Sequence, residues 1–186
     1  MKITVVTGNT HKAEEVAAFF KGAAEVMHIS LDLPEYRSED VGEIARGKAQ
    51  YAYAQLKSPL IVDDTGFFID ALHGFPGPYA AYVLKSIGNT GILKLMAGVP
   101  EVDRHARFIT AIAFANAGGI HVFKGTIEGM ISSAPRGNEG FGYDPIFDTG
   151  GKTLAEIPLE EKNRISHRAR ALTAFHDWFL TEYKSQ

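Results

Sequence analysis

Cysteine is absent from the 186 residues. That excludes a disulfide framework, thiolate metal sites and a cysteine nucleophile. It fits a reducing compartment, and a cytoplasmic location is expected. A basic excess is also missing: 19 Lys plus Arg stand against 22 Asp plus Glu, for a net charge of −3. Proteins that track duplex phosphates carry a positive surplus, so no nucleic-acid partner is expected. A small anionic ligand needs only a local basic patch and stays allowed. Nor is there a long apolar run. The best uncharged stretch, Phe108–Phe123, contains Asn116, Gly118, Gly119 and His121, so no bilayer span and no membrane partner are expected. The opening MKITVVTGNT is too soon interrupted for a signal peptide. The chain has no HExxH zinc spacing, no GxSxG elbow, no GxGxxG fingerprint and no internal repeat.

What remains is an ordinary globular composition, 45% hydrophobic and 22% charged. A chain of this size buries about 70% of the surface it exposes when unfolded, and residues 1–186 are expected to form a single domain. Lys2–Val6 reads as a buried strand, broken by Gly8-Asn9-Thr10, and His11–Lys21 as a helix stopped by Gly22. A second strand is expected over Ala24–Leu31 and a helix over Asp40–Leu56. A third strand, Pro59–Val62, ends in Asp63-Asp64-Thr65-Gly66, with a short strand at Phe67–Ile69. Gly74-Phe75-Pro76-Gly77-Pro78 is a rigid turn before helices at Tyr79–Ser86 and Thr90–Met96. Arg107–Ala115 and Ile120–Ile131 form a hairpin, Ser132–Asp144 a glycine-rich loop, and Leu159–Tyr183 one closing helix of about 37 Å. This order predicts an α/β fold with a mixed sheet.

Four places carry residues suited to chemistry. In Thr7-Gly8-Asn9-Thr10-His11-Lys12, a glycine at a strand end and a helix N-terminus with a lysine suit phosphate oxygens; the same residues suit a plain helix cap at Asn9 or Thr10. Asp63-Asp64-Thr65-Gly66 sets carboxylates at the C-terminal end of a strand, where ligands of open α/β sheets bind; a turn is the competing reading. Adjacent extended residues point to opposite faces, so one aspartate is expected to face the site and the other to orient. Either could hold Mg²⁺ or activate water. In Arg136–Pro145, Phe141 or Tyr143 could plug the core or stack on a base. In Glu161–Arg168, Lys162 and Ser166 are expected on one helix face and Asn163 and His167 on another. Acids gather over Asp32–Glu43 and bases over Lys162–Arg170. These are two solvated faces, or two walls that grip a magnesium nucleotide.

In this order the motifs resemble the inosine triphosphate pyrophosphatase (Ham1-like) family. The matching segments are Thr7–Lys12, Leu33–Tyr36, Val62–Gly66, Gly74–Tyr79, Phe141–Pro145 and Glu161–Arg168, which span nearly the whole chain. The resemblance implies an elongated mixed sheet flanked by helices, with two lobes around a nucleotide cleft. It implies Mg²⁺-dependent hydrolysis of the triphosphates of inosine, deoxyinosine and xanthosine to monophosphate and pyrophosphate, by a homodimer. Carried over, Glu35 and Asp64 bind the metal and Asp64 also activates the water. Thr7, Gly8, Asn9, Thr10, His11, Lys12, Lys48 and Thr65 hold the triphosphate. Phe141, Gly142, Tyr143, Asp144, Lys162, His167 and Arg168 hold the base and part of the sugar-phosphate. A keto oxygen at purine position 6 suits donors such as His167 and Arg168, whereas the amino group of adenine does not. A related Maf-like pyrophosphatase lacks the Phe-Gly-Tyr-Asp loop and Ser-His-Arg helix, and a nucleotide sensor predicts binding without turnover.

Overall fold

The computed structural model describes residues 2–183, and within them an open mixed sheet flanked by helices. β1 (Lys2–Val6) leads through a short loop to α1 (Thr10–Phe19), then β2 (Glu25–Ile29) and α2 (Val41–Leu56). β3 (Leu60–Ile69) is followed by β4 (Pro76–Gly77) and α3 (Ala80–Leu95). The hairpin β5 (His105–Asn116) and β6 (Gly119–Ile131) precedes β7 (Phe147–Thr149), β8 (Lys152–Thr153), α4 (Leu159–Ile165) and α5 (His167–Trp178). The sheet order is β2-β1-β3-β5-β6-β7-β8, with β4 beside β3. No helix of the described residues is long and apolar enough to cross a membrane.

The sheet forks at β3. β1 runs parallel to β3 and is paired with it at Val5 and Ile61; β4 pairs with its far half, at Phe67 and Phe68. β5 lies antiparallel along the whole length, from Leu60 opposite Ala115 to Ile69 opposite Ala106. Between Ile61 and Phe67, then, β3 has a strand neighbour on one side only, and a cleft opens on the other. Three apolar clusters surround this fork. Ile3, Val16, Ile112 and Phe175 join α1 and α5 to one face. Val6, Ala45, Ala49 and Val62 join α2 to the opposite face. Phe67, Val83, Phe108 and Phe147 fill the second lobe under α3.

Three expectations change. The third strand does not stop at Val62: β5 offers ladder partners throughout, so β3 continues through Asp63-Asp64-Thr65-Gly66 to Ile69, and the acids sit mid-strand. The closing helix is not continuous. Ser166 leaves the helical region (ψ 160) and its hydroxyl accepts from the Ala169 amide at 3.1 Å, capping a new helix. Lys162 and Ser166, like Asn163 and His167, therefore do not share a helix face. Beyond Trp178 the backbone widens into a π-helical turn over Phe179–Tyr183. The two helices expected around Gly88 are present as α3, whose helical path breaks there at φ 62.

Candidate active site

The cleft at the fork encloses about 390 Å³. Its floor is the open edge of β3. One wall is the β1–α1 loop with Glu35 and Lys48; the other is the Phe141–Asp144 loop with Lys162, His167 and Arg168.

On the first wall, Asn9 caps α1, its side-chain oxygen accepting from the amides of His11 (3.0 Å) and Lys12 (3.3 Å). The Thr7 hydroxyl accepts from the Asn9 amide, and His28 lies 2.8 Å from the Thr7 carbonyl. The loop is thus a helix cap, and Thr7, Gly8, Asn9 and Lys12 also line the cleft. Thr10 and His11 are exposed and lie outside the lining; the His11 ring stacks on Phe141 at 5.2 Å.

The two aspartates have different partners, yet both line the cleft, against the expectation that one alone would. Asp63 is held by Lys12 at 3.2 Å and by Arg168 at 3.0 Å. Burial opposes its charge, but Lys12 and Arg168 outweigh burial and keep its carboxyl below the usual range. Asp64 is held by Lys48 at 2.9 Å, and Lys48 also meets Glu35 at 3.1 Å. Here burial dominates, Lys12 and Lys48 offset it only in part, and the Asp64 carboxyl is pushed up. Neighbouring carboxyls driven apart in this way mark one as the fixed charge and the other as the group able to take a proton. Burial lowers the proton affinity of Lys48, but Asp64 and Glu35 prevail and raise it, so it stays charged.

The second wall is a buried ion network. Lys162 bonds Glu15 at 2.6 Å and Asp144 at 2.7 Å, and Arg168 bonds Glu15, Asp63 and Thr65. The side chains of Lys162 and Arg168 are 2% exposed, against 18% for Lys12 and 12% for Lys48. The latter two are the less buried of the four cations, though each is also paired with carboxylates. Asp144 also accepts from the Phe141 amide at 2.8 Å, which folds the loop over the cleft; burial pushes its carboxyl up despite Lys162. Tyr143 serves the core, its ring 4.6 Å from that of Phe67 and its hydroxyl donating to the Ala80 carbonyl. Phe141 is half-buried at the mouth, with the Lys162 ammonium 5.0 Å from its ring centre. His167 is buried, its Nδ1 2.9 Å from the Thr110 hydroxyl; burial and the charges of Arg168, Lys162 and Lys12 keep it neutral near pH 7.

The acidic and basic segments divide between the two readings: Asp32 and Glu35 line the first wall and Lys162 and Arg168 the second, and the other charges are solvated. Asp40 caps α2 and pairs with Lys124, while Arg164 pairs with Glu160 at the surface. Glu15 and Thr110 were not among the expected site residues. Glu15 stands three residues after Lys12 on α1, a spacing that puts both on one face and was the available signal. Among the described residues no group of three or more His, Cys, Asp or Glu is arranged to hold a metal.

The model of the Ham1 family matches residues 3–178. The chain belongs to the Ham1 family. It is 48% identical over 185 residues to the dITP/XTP pyrophosphatase of Methanopyrus kandleri, with 96% of each chain covered. Solved Ham1 structures superpose closely. The Coxiella burnetii protein is 30% identical with a TM-score of 0.83, covering 97% of this chain and 98% of that one. The Staphylococcus aureus protein is 29% identical with a TM-score of 0.82, covering 98% and 100%. The Ham1 motifs named from the sequence fall on both walls of the cleft and on its floor.

Proposed function

We propose that this chain hydrolyses the triphosphates of deaminated purines, ITP, dITP and XTP, to the monophosphate and pyrophosphate, with residues 1–186 acting as one catalytic unit on the cytoplasmic nucleotide pool. The observation that carries the reading is a single cleft that gathers two partly exposed lysine ammonium groups, a carboxyl with raised proton affinity and a neutral imidazole. The relative from Methanopyrus kandleri, named a dITP/XTP pyrophosphatase, supports the same class of substrate.

On this reading Lys12 and Lys48 neutralise phosphate oxygens and the Thr7–Asn9 loop positions them, while the Thr65 hydroxyl on the floor is engaged by Arg168 and Thr110. Asp64 takes the proton from a water that attacks the α-phosphorus, and pyrophosphate leaves as its charge is met by the two lysines. Glu35 and Asp64 converge on the Lys48 ammonium and offer hard carboxylate oxygens. That donor set fits Mg²⁺, which takes one or two carboxylates along with substrate phosphates. When bound, the ion supplies further neutralisation of the polyphosphate. Phe141 stacks on the base, and Gly142 and Asp144 shape the loop that carries it. Lys162 and Arg168 act from behind, since they are far more deeply buried than Lys12 and Lys48. We further propose a homodimer through the turn before α3, where Phe75, Tyr79 and Tyr82 are exposed.

The test is turnover with Mg²⁺ on the triphosphates of inosine, xanthosine, adenosine and guanosine, with the phosphate product identified. Pyrophosphate release with a strong preference for inosine and xanthosine over adenosine is expected. Orthophosphate as product, or equal rates on inosine and adenosine triphosphates, overturns the reading.

A further inference from the structure

Thr65 and Thr110 face each other directly across β3 and β5, and their hydroxyl oxygens are 2.7 Å apart. Thr65 also lies 3.2 Å from a guanidinium nitrogen of Arg168, and Thr110 lies 2.9 Å from Nδ1 of His167. The four side chains form one line: Arg168, Thr65, Thr110, His167. A guanidinium only donates, so the Thr65 oxygen accepts at that end. Among the described residues the one acceptor within reach of the Thr65 hydroxyl proton is Thr110. Thr110 is fully buried; having accepted from Thr65, it directs its own proton to His167. Nδ1 of His167 then accepts, and the single ring proton of the neutral imidazole sits on Nε2. Nε2 has no hydrogen-bond partner among the described residues, and His167 lines the cleft.

We propose that Thr65 and Thr110 are positioning residues that hold His167 as the Nε2–H tautomer, so that the cleft presents a donor to a 6-keto purine and no acceptor to a 6-amino purine. This rests on the proposed substrate class and assigns its selectivity to a hydroxyl relay that starts at Arg168. The same imidazole with its proton on Nδ1 would present a lone pair to the cleft and would welcome the amino group of adenine. One proton position within the relay thus decides which base is matched, and a site built on a buried hydrogen bond penalises the mismatch heavily.

The tautomer is readable without substrate. Two-bond proton–nitrogen correlation spectra of the full chain, with heavy nitrogen in its histidines, distinguish the two forms, and His167→Gln assigns the signal. The wild type is expected to show a protonated Nε2 and a bare Nδ1. Thr110→Val removes the hydroxyl at nearly constant shape. It is expected to mix the tautomers and to lower the ratio of kcat/KM for inosine over adenosine triphosphate at least about tenfold. Thr110→Ser is expected to restore both. Should Thr110→Val not fold, Thr65→Val removes the upstream hydroxyl at the half-buried end of the relay and is expected to shift the tautomer the same way. A proton on Nδ1 in the wild type, or an unchanged tautomer and ratio in the valine variants, overturns the proposal. A wild type inert on inosine triphosphate overturns the functional reading and the selectivity role with it. An active wild type with the wrong tautomer overturns this inference alone.

Discussion

At the scale of the residue, Asp63 and Asp64 are neighbours on one strand with opposite assignments. Asp63 is locked between Lys12 and Arg168 and keeps its charge, whereas Asp64 is pushed up by burial, which Lys12 and Lys48 offset only in part. Replacing Asp64 by Asn keeps the shape and removes the carboxylate proposed to accept the proton. We expect kcat to fall at least about a hundredfold with an unchanged unfolding midpoint, as measured by turnover and urea denaturation. Near-normal turnover would remove Asp64 from the mechanism. Glu15 never meets solvent, yet it answers two buried cations at once. Glu15→Ala leaves Lys162 short of a partner and Arg168 leaning on Asp63 alone among carboxylates. It should cost about 1–3 kcal/mol in urea unfolding, because Lys162 keeps Asp144 and Arg168 keeps Asp63, but each buried cation loses one acceptor. A loss under about 1 kcal/mol would mean that water reaches the network.

At the scale of the element, the break at Ser166 does most to build the second wall. A continuous helix would turn its side chains in strict 3.6-residue order; the break resets the phase, so Lys162 from α4 and His167 and Arg168 from α5 all turn into the cleft. α5 begins tight against the sheet because Gly125, opposite Thr110 on β6, lacks a side chain. A Cβ there would collide with the His167 carbonyl and the Ala171 amide. Gly125→Ala is therefore expected to push the start of α5 outward, to destabilise the fold by about 1–3 kcal/mol and to depress turnover. The check is thermal unfolding together with kcat/KM; an unperturbed variant would show that the helix can retreat without disturbing His167. The Phe141–Asp144 loop follows the same logic of close approach. Gly140 has φ 71 and packs against the Asp144 carboxylate, a conformation open to glycine and strained for other residues.

At the scale of the whole molecule, the cleft's ionisation sets how stability responds to acid. His167 has a proton affinity well below its ordinary value of 6.5, first through burial and then through Arg168, Lys162 and Lys12. Its contribution to stability is complete above 6.5 and is lost as the pH falls toward the lower folded value, because only the unfolded chain binds the proton. Glu15 and Asp63, lowered from 4.5 and 3.8, add a second loss further down. Asp64 and Asp144, both raised by burial, act with the opposite sign and soften the decline. The urea midpoint is expected to drop between about pH 7 and about pH 5, and His167→Gln to flatten that slope. An identical slope in the variant would show that His167 is not the group responsible. Assembly is the second property at this scale. Tyr79 is 51% exposed and Tyr82 73%, beside the half-open Phe75. If these residues join two copies, Tyr82→Glu is expected to convert a dimer to a monomer in sedimentation, with the circular dichroism unchanged. A wild type already monomeric at high concentration would place the aromatics in some other role.

The order of elements, the helix cap at Asn9 and the hairpin around Ala117-Gly118 were legible in the sequence, because each depends on neighbours in the chain: a capping oxygen, a period of two, a glycine between strands. The site roles of Glu35 and Lys48 came only with the family resemblance. The motif order also pointed to the Ham1 family. The run of β3 past its aspartates was not legible, since it depends on β5, some 45 residues away and written nowhere near Asp64. Glu15 could not be matched to Lys162 and Arg168 for the same reason: electrostatic partners are chosen by proximity after folding, and no local spacing encodes them. The chain's local chemistry determined which functional groups were available. The tertiary hydrogen-bond registry decided which of them face one another across the forked sheet, and so which are locked and which are free to act.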